Sequence, residues 1–285
     1  MAGIGQQTAA TRGDAQRHQR SERRACAVQR MKSTNSLQRV LALLDAFSEA
    51  RLEWTPEELM KEFGYSRPTL YRYLKTLRDA GLLMSTRSAG FTLGPKVVEM
   101  DYLMRQSDPL VLDGPPYLHR LTDKYACTAF FVRWYGNKIL CVASECSASN
   151  PVSSYPRGRP MPLGRGAIAR SIMAFLPRPH LRRLVELNAK ELRSVGLGDT
   201  VEAILKSMNR VKKTGYAVAH GEVTPGALGI AAPVFDAGNS PIASCCVVIA
   251  GASVTGAQID EIGRTVRQVA ADVGADLFHP AEIGA

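Results

Sequence analysis

Residues 54–94 read WTPEELMKEFGYSRPTLYRYLKTLRDAGLLMSTRSAGFTLG, and this stretch constrains the chain more than any other. Thr55-Pro56-Glu57-Glu58 opens a helix: Thr55 suits the N-cap, Pro56 the first helical position, and Glu58 completes a capping box. Leu59 and Phe63, four apart, share a face. Gly64-Tyr65 interrupts the pattern. Ser66 is placed to cap a second helix that tolerates Pro68 in its first turn. Leu70, Leu74 and Leu77 form its inward stripe. Gly81 sits where a helix ends on a left-handed residue. Leu82–Ser85 and Phe91–Leu93 then read as short strands around a tip holding Arg87 and Gly90. The order helix, turn, helix, wing is that of a winged helix-turn-helix.

At roughly 100° per residue, Pro68, Arg72 and Lys75 point away from the leucine stripe. Thr69 and Tyr71 flank them, and Ser66 and Arg67 lie at the helix start. Cations, hydroxyls and a phenol are the groups that meet phosphates and base edges. Ser66, Arg67, Pro68, Thr69, Tyr71, Arg72 and Lys75, with Arg87 on the wing, are therefore the expected contacts to double-stranded DNA.

The remaining chain divides around this unit. Residues 1–32 are polar and basic, with seven Lys and Arg against Asp14 and Glu22; they read as a disordered leader. It is either a basic arm or the product of an upstream start codon, with Met31 the true start. The DNA-binding domain spans 33–94, opening with a helix over 35–49 that carries Leu37, Val40, Leu41, Leu44 and Phe47. Residues 95–109 form a linker helix whose Val97, Met100 and Met104 suit packing on a second copy, or a plain connector. From 110 to 279 the pattern is α+β. A helix at 115–126 precedes a hairpin, CTAFFVRW and ILCVASEC, around Tyr135–Lys138. Helices are expected at 165–176, 178–188 and 199–213, strands at 216–219, 229–235 and 241–250, and a closing helix at 255–277. The sum is a mainly antiparallel sheet flanked by helices.

Apolar residues make up 45% of 285, enough for two cores. A net charge of +10 favours a polyanionic partner. No apolar run approaches the roughly 20 residues that span a bilayer, and no signal-peptide core is present. A cytoplasmic protein without membrane contact is expected. Cys26, Cys127, Cys141, Cys146, Cys245 and Cys246 lack zinc-site spacing and read as reduced, mostly buried small hydrophobes; a thiol redox sensor is the alternative. Cys245 and Cys246, adjacent on a strand, should face opposite ways. No cofactor and no metal is expected.

Three segments together resemble the IclR family of bacterial transcriptional regulators. They are the winged helix-turn-helix, RGRPMPLGRGAIARSIMAFLP at 157–177, and TGYAVAHGEVTPGALGIAAPVFDAGNSPIAS at 214–244. The resemblance covers roughly 34–278. It implies a GAF/PAS-like C-terminal domain, dimers or tetramers, and control by a small organic acid. It places the effector pocket against Met161, Arg165, Gly166, Ala167, Ile168, Gly229, Cys246 and Val248. Members that bind small keto acids carry hydroxyls at the two strand positions held here by Cys246 and Val248, so an apolar, aromatic-acid pocket is implied. Arg165, at a helix start, is placed to meet a carboxylate alongside free N–H groups, or else to face solvent. Glu222 reads as a loop or cap residue and His220 as a residue of the pocket rim.

An enzyme would need a reactive constellation, and none of the nucleophile-elbow, phosphate-loop, zinc-protease or dinucleotide motifs is present. A Cys246–His220–Glu222 trio is the one imaginable thiol site. A ligand-independent architectural DNA-binding protein would leave the C-terminal α+β domain without a task. The reading is a DNA-binding regulator, not an enzyme. It binds a palindromic operator as a homo-oligomer, with recognition helices about 34 Å or a multiple apart, and a catabolic operon is its expected target.

Overall fold

The computed structural model describes residues 35–147, 156–252 and 254–279. The leader at 1–32, and what was expected of it, lie outside these. The chain forms two compact units that part between Met104 and Arg105.

In the first unit, α1 (Ser36–Ala42) tightens into a 3-10 turn over Leu43–Ala46. The helix is shorter than its apolar spacing suggested. Phe47 is extended, the Trp54 indole donates to the Ala46 carbonyl at 3.1 Å, and Ser48 and Arg51 pair back on each other. These contacts satisfy the chain end that a longer helix would have occupied. The buried contribution comes from Ala42 and Leu43, whereas Leu37 and Leu41 are 70% and 57% exposed.

Helix α2 (Pro56–Phe63) carries the expected capping box. Glu58 N–H donates to the Thr55 hydroxyl at 3.3 Å, and Thr55 N–H to the Glu58 carboxylate at 2.9 Å. It ends on Gly64 at φ 67°, a left-handed position where glycine carries no Cβ penalty. Helix α3 (Arg67–Asp79) buries Leu70, Leu74 and Leu77, and also Tyr73. Tyr73 meets Tyr65 edge-on with ring centres 5.6 Å apart. Ser66 occupies the N-cap but does not cap. Its hydroxyl donates to Thr69 Oγ1 at 2.9 Å instead. The C-terminus closes as a Schellman motif, with Leu82 N–H on the Leu77 carbonyl at 2.9 Å.

The wing is β1 (Leu83–Ser85) paired antiparallel with β2 (Phe91–Leu93). Trp54 bridges to Phe91 through 3.0 and 2.8 Å bonds and extends the ribbon on its far side. The tip is pinned by Glu53, which accepts from Ser88 and, at 2.6 Å, from Thr86. Those two hydroxyls hold its carboxyl below the usual range. Helix α4 (Lys96–Arg105) buries no residue.

The second unit begins with two short helices, α5 (Pro109–Leu112) and α6 (Pro115–Lys124). Strands β3 (Thr128–Trp134), β4 (Ile139–Cys146) and β5 (Pro160–Met161) follow, then helices α7 (Ala167–Met173), α8 (Arg178–Leu187), α9 (Ala189–Ser194) and α10 (Val201–Thr214). Strands β6 (Ala217–His220), β7 (Ala227–Phe235) and β8 (Pro241–Ala250) precede the closing helix α11 (Gly256–Phe278). The sheet order is β5-β4-β3-β8-β7-β6, and each of its pairings is antiparallel.

Strict alternation sorts the sheet into two cores. Cys245, Val247 and Ile249 face the core under α6 and α11, whereas Cys246 faces the one under α7, α8 and α10. Two bulges break the alternation: in β4, Phe131 pairs with Ala143 and Val132 with Cys141, and in β8, Val234 pairs with Ala243 and Phe235 with Pro241. The extra residue of the β4 bulge, Val142, accepts from Arg157 at 2.7 Å through its carbonyl. Gly263, buried in α11, lies against the Tyr216 ring so closely that a Cβ there would overlap it.

Candidate functional site

Two surfaces carry the polar chemistry of the chain. The first is the outward face of α3. Tyr71 is 41% exposed, and Ser66, Arg67, Pro68, Arg72 and Lys75 are all exposed beside it. Thr69 is half-buried and bonded to Ser66. The Arg67 guanidinium lies 5.5 Å from the Tyr71 ring centre, and that of Arg72 lies 5.5 Å from Tyr73. Tyr73, an inward residue missed by the leucine count, thus backs one of the outward cations. Asp79, at the last turn, is the acid of this helix, while Glu57, Glu58 and Glu62 sit on α2. A cationic helix start is what phosphate contact requires. Arg87 is exposed at the wing tip, next to Ser88, which Glu53 holds.

The second surface is a cleft in the C-terminal unit, about 520 Å³ when the solvent-open space at its mouth is counted. The sheet register builds its floor. Phe130 pairs with Cys246, Val248 with Gly229, and Gly229 with Ala219, so these side chains stand in neighbouring rows on one face. Met161 from β5, the loop residues Arg165 and Gly166, and Ala167 and Ile168 at the start of α7 form the mouth. All eight residues assigned from the sequence to a pocket therefore line one cleft. Phe130, Glu222, Val223 and Thr224 join them and were not assigned. Phe130 was legible as a strand residue, but its place beside Cys246 depends on the pairing of β3 with β8.

The electrostatics differ from expectation. The N–H of Gly166, expected to await a ligand, donates to Glu222 at 2.8 Å. Glu222 is thus a loop residue bonded to a helix start, as its position suggested. The same carboxylate takes both terminal nitrogens of Arg170, at 3.0 and 2.7 Å, and Arg170 also donates to the Val218 carbonyl at 2.6 Å. The Arg170 side chain is only 3% exposed and that of Glu222 13%, so this is a buried, bidentate pair. Arg165, the cation of the mouth among the described residues, pairs with Glu191 of α9 at 2.6 Å. His220 is exposed at the end of β6 and does not line the cleft. Burial pushes the Cys246 thiol well above its usual range. That is the reverse of what a nucleophile needs, and the imagined thiol trio is not assembled. Among the described residues no His, Cys, Asp and Glu group could hold a metal ion, and no helix is long and apolar enough to cross a membrane.

This architecture matches known proteins. The C-terminal domain of bacterial IclR transcriptional regulators matches residues 106–275, and the IclR helix-turn-helix domain matches 36–86. The Pca regulon regulatory protein of Pseudomonas putida is 25% identical over 230 residues, which is 79% of this chain and 78% of that protein. A solved IclR transcriptional regulator from a Silicibacter species superposes with a TM-score of 0.75 at 18% identity, covering 87% of this chain and 98% of its own. An IclR homologue from Microbacterium hydrocarbonoxydans, solved in complex with 4-hydroxybenzoate, superposes with a TM-score of 0.64 at 19% identity, covering 85% and 99%. At these identities the solved structures speak for the fold.

Proposed function

The chain belongs to the IclR family of bacterial transcriptional regulators, and from that premise we propose a regulator in the cytoplasm that binds a palindromic operator and is set by an aromatic or medium-sized organic acid. The helix-turn-helix unit makes DNA its partner, and the C-terminal domain makes a small molecule its effector. We assign Ser66, Arg67, Pro68, Thr69, Tyr71, Arg72, Lys75 and Arg87 to the operator. Two copies are needed to present two recognition helices to half-sites about 34 Å, or a multiple, apart. The methionines of α4 expected to pack on a second copy support a homodimer or tetramer: Met100 and Met104 are 47% and 46% exposed.

The observation that carries the effector class is the make-up of the cleft. A phenyl ring, a thioether, a thiol and an isopropyl group (Phe130, Met161, Cys246 and Val248) share it with the Arg165 cation. Sulfur and ring edges favour an aromatic guest. The ring would lie along Val248 and Ile168 with its carboxylate toward Arg165. The homologue solved with 4-hydroxybenzoate supports the same class. Aromatic acids are carbon sources, so a catabolic operon is the fitting target.

Calorimetry with 4-hydroxybenzoate, benzoate, pyruvate and glyoxylate, followed by gel shift on the neighbouring promoter, tests this. Binding of the aromatic acids with a change in promoter affinity is expected. Binding of the keto acids alone would overturn the ligand class, and no promoter binding in any state would overturn the whole reading.

A further inference from the structure

The mouth of the cleft holds its cation already engaged. Arg165 Nη2 stands 2.6 Å from Glu191 Oε1, with the arginine side chain 38% and the glutamate 16% exposed. Glu191 comes from α9, 26 residues along the chain, so the pair ties α9 to the loop before α7. The fold makes room for it. A Cβ on Gly164 would collide with the Glu191 side chain, so the carboxylate lies over a position where only glycine fits. The other seat for an anion is taken as well, since Glu222 holds both the Gly166 N–H and Arg170. Arg165 and Arg170 are therefore each matched by an acid of the chain itself.

We propose that Glu191 is a built-in competitor for Arg165, so that an anionic ligand binds by displacing it and thereby unties α9 from the mouth. This rests on the cleft being the effector site. Exchanging one carboxylate for another at the same guanidinium gains little, because the hydrogen bonds formed replace hydrogen bonds given up. A neutral ligand of the same shape makes no such exchange. The wild-type protein thus discriminates weakly between an acid and its amide, although its mouth carries an arginine. Occupancy by an acid, unlike occupancy by an amide, also sends Glu191 into solvent. α9 then remains held by its buried Leu192 and its own backbone bonds. Glu191 is in this sense a specificity-determining residue that acts through Arg165.

The test compares full-length wild type, Glu191→Gln and Arg165→Met, with benzoate and benzamide as probes in calorimetry. Glutamine keeps the shape of the side chain and removes the competing charge. The ratio of benzoate to benzamide affinity should rise about tenfold or more in Glu191→Gln, the scale of one charge-assisted bond, and fall in Arg165→Met. A merely structural role for Glu191 would move both probes together and leave the ratio unchanged, which overturns the proposal. Amide hydrogen exchange across 187–198 without probe supplies the second arm. It should quicken in both variants, and unchanged protection overturns the tie between α9 and the mouth. If neither probe binds any of the three proteins, the aromatic reading of the cleft fails, and the exchange arm alone decides the role of Glu191.

Discussion

Glu222 and Arg170 are 52 residues apart in sequence and share two hydrogen bonds in the interior. Breaking one side of a buried pair leaves an uncompensated charge, at a cost of roughly 3–5 kcal/mol. Arg170→Met should therefore lower stability in urea titrations by about that much. The double variant Arg170→Met/Glu222→Gln should recover most of the stability; no recovery would mean that the arginine acts chiefly through its bond to the Val218 carbonyl. On the DNA side, Arg72→Ala should weaken operator binding about 5- to 150-fold, the worth of one good base contact at roughly 1–3 kcal/mol. Unchanged affinity in a folded protein would remove α3 from the groove. Single residues were legible where local pattern governs them: the Thr55 cap, Gly64, Gly81, and the exposed cations of α3. Pairings such as Arg165 with Glu191 were not, because a side chain's partner across 26 residues is set by how helices pack and not by spacing. Ser66 misled for a related reason. Its cap position is correct, but its hydroxyl donates to the Thr69 hydroxyl one turn later.

Among elements, α11 is the one most constrained by close approach. Gly263 faces the Tyr216 ring, whose hydroxyl is anchored on Asp260 at 2.8 Å. Replacing a mid-helix glycine by alanine gains about 1 kcal/mol of propensity. Overpacking a tight core costs roughly 1–3 kcal/mol. Because the ring is held at both ends, the clash should win, and Gly263→Ala should melt at a lower temperature than wild type. A higher melting temperature would show that Tyr216 yields freely. Long elements with a clear period were legible from the chain: strand Pro241–Ala250 falls on its expected residues, and the hairpin of β3 and β4 sits around its expected turn. The elements missed are short. β5 is two residues, α5 four and α9 six, too few to show a period, and all are fixed by what they pair with or pack on. α1 ends earlier than its spacing suggests, since the apolar pattern continues past the point where Trp54 and Ser48 redirect the chain.

Across the whole molecule the charge is unevenly spread. The net charge is +10, and residues 1–32 hold seven cations against two acids. Removing residues 1–30 should leave the melting temperature and sequence preference unchanged. If the leader neutralises phosphates, the slope of log K against log salt should become shallower by about 0.9 for each phosphate no longer neutralised. Identical slopes would take the leader out of DNA binding. The two-unit plan and the antiparallel sheet were legible as a whole, because the change from winged-helix punctuation to strand-rich text falls near the point where the units part.

The floor of the cleft has a consequence for how such proteins diverge. Cys246 lies between Cys245 and Val247, and Val248 between Val247 and Ile249, and those neighbours all belong to the opposite core. Sliding β8 by one residue would exchange the two cores at once. Point replacement at 246 or 248 disturbs neither the pairing nor the helix behind the sheet. Lineages built on this sheet should accordingly acquire new chemical tastes by single substitutions on its floor and by length changes in the loops of its rim, while the strands keep their lengths.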